Sequence, residues 1–326
     1  MNKIENQTII IFGGTGSLGN ALVSRYLENN IIYLFSRDES KHWKIALDLN
    51  HPKNLHFIIG DIRNKDKVCQ TMIRINPTII IIAAAMKHID KCEFETNESI
   101  ETNLLGTKNI LDGIETHKLL LNNLKSVCFI STDKACSPVN VYGMCKAISE
   151  TLIVEKAKYI PDFKFVAVRY GNVLNSRGSI IPMLHSIGEN KNVTEFKLTS
   201  DKMTRFVMTL EQSVDLIEHA LLYAESGDIV IPKLISLNVK DLIEIFSKIY
   251  NKPVVLSGLR PGEKLLESLI NETQSSRLQF NKDGYMYIKP SYKNIEYNLD
   301  IRDYNSTINP LSKDELEKYL ESLQLI

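Results

Sequence analysis

The 326-residue chain has no surplus of either charge, with 39 lysines and arginines against 39 aspartates and glutamates. That balance argues against a nucleic-acid binder, which normally carries a basic excess or stripe. Long hydrophobic runs are also missing. The longest, residues 78–86, falls far short of the roughly 20 apolar residues that a membrane helix requires, so no membrane partner is expected. Cysteine is scarce: Cys69, Cys92, Cys128, Cys136 and Cys145 are odd in number and include no CxxC pair. Neither a disulfide framework nor a metal site is expected, and a reducing, cytoplasmic location is. The polar start leads straight into an apolar run ending in glycines, so no signal peptide is expected either. There is no internal repeat and no low-complexity tract.

What is present is a rhythm. Residues 8–12, 31–36, 55–59, 78–83, 126–130 and 163–169 are continuous apolar runs, as expected of strands buried on both faces. Amphipathic stretches at 17–29, 39–49, 65–75, 97–117 and 141–157 lie between them. Such alternation predicts an α/β fold, a Rossmann-like doubly wound parallel sheet with right-handed crossovers. Beyond about residue 175 the rhythm breaks. Isolated helices at 210–224, 239–249 and 312–325 suggest a smaller C-terminal α/β lobe. The expected division is therefore a nucleotide domain over 1–175, to which later segments can return, and a substrate lobe over 176–326.

The first run ends in Gly13-Gly14-Thr15-Gly16-Ser17-Leu18-Gly19, which opens the first helix. Glycines between a strand and a helix let backbone N–H groups approach a pyrophosphate, so Gly13, Thr15, Gly16, Ser17, Leu18 and Gly19 are candidate cofactor contacts. The second run ends in Ser36-Arg37, with Lys41 one turn on. An Arg there suits a 2′-phosphate where an acid would suit a free ribose hydroxyl, so NADP is expected ahead of NAD. Asp61 and Ile62 follow the third run, where adenine contacts commonly sit, and Ala83-Ala84 leave room for the cofactor after the fourth.

Ser131-Thr132-Asp133-Lys134 follows the fifth run, at the sheet end where open α/β folds bind ligands. Tyr142 and Lys146 come next, four apart and so on one helix face. A lysine beside a phenol favours phenolate, a base for a hydroxyl proton. The same spacing recurs at Tyr285/Lys289, but without a preceding strand-end hydroxyl.

With these motifs the chain resembles the extended short-chain dehydrogenase/reductases. Among them it is most similar to the inverting UDP-N-acetylglucosamine 4,6-dehydratases (5-epimerases) of surface-glycan synthesis. The matching stretches are GGTGSLG, SRDESK, GDIR, AAAMKHID, NLLGT, STDKACSPVNVYGMCK, VRYGNVLNSRGSIIP, LTSDKMTRF and RPGEK. The resemblance implies that Thr132, Tyr142 and Lys146 serve hydride transfer, with Asn103 beside the cofactor. It assigns Asn172, Thr199, Arg205, Arg260 and Glu263 to a UDP-sugar, and places Lys87 near the sugar. It also implies a homo-oligomer.

Asp133-Lys134 separates subclasses. A 4-epimerase needs only the hydroxyl, Tyr and Lys. Dehydration needs in addition an acid for the leaving 6-oxygen and a base for the C5 proton, the roles expected of Asp133 and neutral Lys134. A UDP-sugar 4-epimerase is the alternative, and a non-catalytic NADP-binding regulator a more distant one.

Overall fold

The computed structural model describes residues 3–281, 283–295, 300 and 302–326. Six parallel strands carry the nucleotide half: β1 (Thr8–Phe12), β2 (Ile31–Ser36), β3 (Leu55–Ile59), β4 (Ile79–Ile82), β5 (Ser126–Ile130) and β6 (Lys164–Val168). They lie in the order 3-2-1-4-5-6, so the chain reverses direction across the sheet between β1 and β4. Beyond β6 the same sheet takes in Ile229–Ile231 in parallel, then Met286–Ile288 and Leu278–Phe280 antiparallel. The fold is thus a Rossmann-like α/β sheet with a smaller mixed sheet after it.

Alternation explains why the strands read as unbroken apolar runs. Ile10, Phe12, Ile80, Ile82, Val127 and Phe129 face one layer, packing with Ile110, Leu111, Ile114 and Ile153. Their neighbours Ile9, Ile11, Ile79, Ile81 and Cys128 face the other, against Leu22, Val23, Val214 and Ile217. Because side chains alternate along a strand, only an all-apolar run can satisfy two covered faces. The helices α1 (Ser17–Tyr26), α2 (Glu39–Asp48) and α3 (Lys65–Ile75) match their amphipathic stretches to within a turn.

The stretch 97–117 is not one helix. After a short α4 (Ile89–Phe94), it divides into α5 (Thr96–Ser99), a π turn (Ile100–Leu105) and α6 (Gly106–Thr116). The π turn places Asn103 so that its Oδ1 accepts from Met86 N–H (2.8 Å) and its Nδ2 donates to Met86 C=O (3.0 Å). A sequence pattern counts residues per turn and so cannot register the extra residue. The long helix α7 (Val141–Tyr159) follows β5.

In the smaller sheet Asn172–Val173 pairs with Thr204–Met208, which pairs with Ile235–Asn238, which pairs with Pro310–Leu311. A separate core of Phe196, Leu237, Leu242, Phe246, Leu316 and Leu320 lies beneath it. Among the described residues no helix is long and apolar enough to cross a membrane.

Candidate active site

A cleft of about 800 Å³ runs along the C-terminal ends of β1, β2, β4 and β5. It begins at the first glycine turn. Gly13 has φ +86°, and a Cβ there would lie 2.6 Å from the Ala84 backbone, so only glycine lets the turn press against the end of β4. At Gly16 an added Cβ would meet only one atom within 4 Å, at 3.6 Å, and no side chain caps α1. The N–H groups that open α1 thus face the cleft without a side-chain acceptor, as a bound pyrophosphate requires.

At the far end of the cleft Ser36 Oγ lies 2.8 Å from His42 Nε2 and receives the Thr15 hydroxyl at 3.2 Å. Arg37 is half exposed, 3.8 Å from Asp61, and Lys41 pairs with Asp38 at 2.6 Å. Asp61 is gripped more closely by Arg63, at 2.6 Å. Partial burial works against its charge, yet the Arg63 hydrogen bonds hold Asp61 below the usual carboxylate range. The residues present therefore fit a dinucleotide, with a hydroxyl and two cations at one end and an open glycine turn in the middle.

The chemistry-bearing end is built by β5 and α7. After Ile130 the chain makes a short 3₁₀ turn, Asp133–Ala135, held by Asp133 N–H donating to Tyr170 C=O. Gly143 allows that turn to touch α7, since a Cβ there would sit 2.2 Å from the Lys134 carbonyl oxygen. Asn140 caps α7 by accepting from Gly143 N–H, and its amide donates to Gly262 C=O, tying the helix to the RPGEK loop.

Thr132 Oγ1 donates to Asp133 Oδ1 at 2.8 Å, and Lys134 Nζ donates to the same oxygen at 3.0 Å. The other carboxylate oxygen, Asp133 Oδ2, is buried and has no hydrogen-bond partner among the described residues. Lys134 Nζ also donates to Asn172 Oδ1 at 3.2 Å and lies 3.9 Å from Glu267 Oε1. Burial, and next the charge of Asp133, push the Tyr142 phenol up, while a hydrogen bond from Thr132 opposes them. Burial pulls the Lys146 ammonium down to about 8, and its Nζ donates to Ile130 C=O at 2.8 Å. The charge that acts on Tyr142 most is thus Asp133, where the i, i+4 spacing had pointed to Lys146.

The cleft gathers Gly13, Thr15, Gly16, Ser17, Leu18, Gly19, Ser36, Arg37, Lys41, Asp61, Ile62, Ala83, Ala84, Lys87, Thr132, Lys134, Tyr142, Lys146 and Asn172 along its wall. Other expected contacts stand behind or away from that wall. Asp133 is fully buried beneath it, and Asn103 is spent on the Met86 backbone. Arg205 is buried, its guanidinium donating to the carbonyls of Thr204, Lys264 and Leu265. Arg260 pairs with Glu263 at 3.2 Å in the exposed RPGEK loop, and the Thr199 hydroxyl meets Met203 Sδ. Lys87 Nζ donates to Arg177 C=O, and Arg177 N–H donates to Ser17 Oγ, so residues around 177 cross the cleft between these two anchors.

Four participants escaped the sequence reading. His42 sits one residue beyond Lys41 and had no pattern to mark it. Glu150 and Arg169 form a buried pair behind the site. Glu267 interrupts the apolar run Leu265-Leu266 and Leu269-Ile270, and a lone acid in such a run was a usable signal of a buried partner. The second Tyr/Lys spacing is structural: Tyr285 stacks on His219 and Lys289 pairs with buried Asp228 at 2.9 Å.

Residues 9–289 match the family of polysaccharide biosynthesis proteins. The chain is 38% identical over 303 residues to a UDP-glucose 4-epimerase of Rickettsia bellii, covering 90% of this chain and 85% of that one. It superposes on Pen from Bacillus thuringiensis with a TM-score of 0.89 and 32% identity, all of both chains being covered. DesIV, a dTDP-glucose 4,6-dehydratase from Streptomyces venezuelae in complex with NAD, shares the fold at a TM-score of 0.68 and 17% identity, covering 79% of this chain and 86% of that one. The chain therefore belongs to the polysaccharide biosynthesis protein family of extended short-chain dehydrogenase/reductases, NAD(P)-dependent enzymes that modify nucleotide sugars.

Proposed function

We propose that the protein is an NADP-dependent UDP-N-acetylglucosamine 4,6-dehydratase that inverts C5, giving UDP-2-acetamido-2,6-dideoxy-β-L-arabino-hex-4-ulose. The observation that carries this reading is the Asp133–Lys134 pair. It adds to the hydroxyl, Tyr and Lys an acid with a buried, unpartnered oxygen and an amine on the cleft wall.

When bound, NADP supplies reversible hydride acceptance, so the overall reaction consumes no reductant. The side chains handle the protons. Tyr142 Oη takes the proton of the 4-hydroxyl, with Thr132 donating toward it. The 4-ketone acidifies C5–H, and Lys134 Nζ takes that proton. Asp133, beneath the wall, supplies the proton for the departing 6-oxygen by way of the Thr132 hydroxyl, which lies on the wall 2.8 Å from its Oδ1. C6 would then take back the hydride that bound NADP returns while C5 takes a proton on its opposite face, which balances the reaction and inverts C5. An Asp133 that starts protonated also serves Tyr142, because it removes the charge that pushes the phenol up. Acid and base thus need opposite charge states from the usual ones, and a proton moved across the 3.0 Å between Lys134 and Asp133 provides both.

The relatives named UDP-glucose 4-epimerase favour a second reading, in which C4 is inverted and C6 stays intact. Proton NMR of UDP-N-acetylglucosamine incubated with the protein in deuterated water decides between them. A new C6 methyl signal with deuterium at C5 of an L-configured ring is the expected result. Intact C6 protons in a 4-epimer would overturn it.

The choice of NADP rests on Ser36, Arg37 and Lys41. Arg37→Ala combined with Lys41→Ala is expected to weaken NADP binding by roughly 10–100-fold, the worth of hydrogen bonds to a charged group, and to leave NAD binding within a few-fold. Isothermal titration with each dinucleotide reads this directly, and equal weakening of both would assign the two cations elsewhere.

A further inference from the structure

We propose that Glu267 is a positioning residue for Lys134, holding its ammonium form and so setting the pH range over which the amine takes the C5 proton. The inference rests on the dehydratase reading above and adds to it a residue more than 130 positions further along the chain.

Glu267 is only 1% exposed and stands at the start of the strand Ser268–Ile270. Its backbone is clamped, the N–H donating to Ser306 Oγ at 3.0 Å and the C=O accepting from Ser306 N–H at 2.8 Å. Its carboxylate has less. Oε1 lies 3.9 Å from Lys134 Nζ, Oε2 lies 3.6 Å from Lys264 Nζ, and Oε2 receives no hydrogen bond among the described residues. Burial pushes this carboxyl up, and the Lys134 charge is the largest influence pulling it back. A buried acid without hydrogen bonds is costly to keep unless its charge is used by a neighbour.

Two of the cations near Glu267 are already committed. Arg205, from the strand Thr204–Met208, is fixed by three backbone carbonyls. Lys264, from the RPGEK loop, donates to Cys136 C=O at 3.0 Å. Lys134 is the cation that reaches the cleft. Around it stand Asp133 from its own turn, Asn172 from the smaller sheet and Glu267. Behind Asp133 the Arg169–Glu150 pair joins β6 to α7, and Arg169 also acts on Asp133 by its charge.

In the base step the C5–H bond breaks and its proton bonds to Lys134 Nζ. The electron pair passes into the C4 carbonyl, and the amine becomes an ammonium. Glu267 supplies a counter-charge to that ammonium from 3.9 Å away. Before the step the same charge favours the ammonium over the amine. The carboxylate therefore holds the working range higher than a neutral residue would.

The experiment measures kcat and KM for UDP-N-acetylglucosamine against pH for the full chain and its variants. In Glu267→Gln the acid limb of kcat is expected to move down by about one pH unit, making the variant about tenfold faster relative to its own plateau at a pH below the wild-type limb. KM should hardly change. Glu267→Asp, which keeps the carboxylate, should return the limb toward the wild-type position. Lys264→Met frees Glu267 from its other partner and should move the limb up, which keeps the test open if Glu267→Gln does not fold. A uniform loss of kcat at every pH, with the limb in place in all three variants, would mean a merely structural residue and overturn the inference. If the wild type makes no 6-deoxy product, the dehydratase reading itself has failed, and this is seen before any variant is compared.

Discussion

Lys134→Met is expected to lower formation of the 4-keto-6-deoxy product by roughly 10²–10⁴-fold, the usual worth of a general base. Dinucleotide binding should stay near the wild-type level, because Lys134 lies at the β5–α7 end of the cleft and the glycine turn is untouched. The methionine keeps most of the side-chain length and removes the amine that donates to Asp133 and Asn172. Oxidation at C4 depends on Tyr142 and Thr132, so the variant should still reach the ketone in a single turnover. That outcome appears as reduced dinucleotide absorbance without any loss of water from the sugar. Asp133→Asn should be similarly slow for a different reason, since an amide keeps the hydrogen bond from Thr132 yet cannot protonate the leaving oxygen. If Lys134→Met turned over as fast as wild type, the base would have to be sought elsewhere on the wall.

How far the sequence could be read depended on the kind of information each element carries. Strands β1, β2, β3 and β5 were legible to the residue because a buried strand writes itself as a mostly apolar run, although β3, at the sheet edge, leaves His56 and Ile59 exposed. The glycine turn was legible because close backbone approach leaves few residue choices, as at Gly13. The π turn was not, since it changes the count per turn without changing composition. The three antiparallel or late strands of the main sheet were also hidden. Ile229–Ile231, Leu278–Phe280 and Met286–Ile288 are three residues each, too short for a pattern to stand out. Within the site, local segments could be read and long-range ones could not. Thr132, Asp133, Lys134, Tyr142 and Lys146 lie within 15 positions of sequence, whereas Glu267 meets Lys134 across more than 130 residues. Arg205 shows the complementary limit. Its residue type suits a diphosphate, but its partners are backbone carbonyls, Thr204 in its own strand and Lys264 and Leu265 at the end of the RPGEK loop, and only coordinates reveal that choice.

The largest expected loss of stability comes from a pair that touches no ligand. Arg169 is fully buried at the end of β6. Its Nε and Nη2 donate to the two carboxylate oxygens of Glu150 on α7, at 3.0 and 2.5 Å. Nη1 donates to Leu269 C=O at 2.7 Å and to Gln274 Oε1 at 2.9 Å, so one guanidinium joins the main sheet, the helix bearing Tyr142 and the segment bearing Glu267. Glu150→Ala removes the counter-charge and leaves the cation in the dry interior, which should cost about 3–5 kcal/mol. The reverse single change, Arg169→Met, leaves a carboxylate unpaired and should cost a similar amount. Changing both together, Glu150→Leu with Arg169→Met, should recover much of that loss, because apolar groups of similar volume need no partner. Denaturant midpoints for the three variants measure the difference, and additive losses in the double variant would show that the guanidinium's bonds to Leu269 and Gln274 outweigh the ion pair. Activity should not follow stability in the double variant. Tyr170 C=O, next in the chain, holds Asp133 N–H, so a repacked but stable pair can still shift the acid from its place beneath the cleft wall. A fold restored to wild-type stability with dehydration still depressed would locate the value of this pair in aiming Asp133.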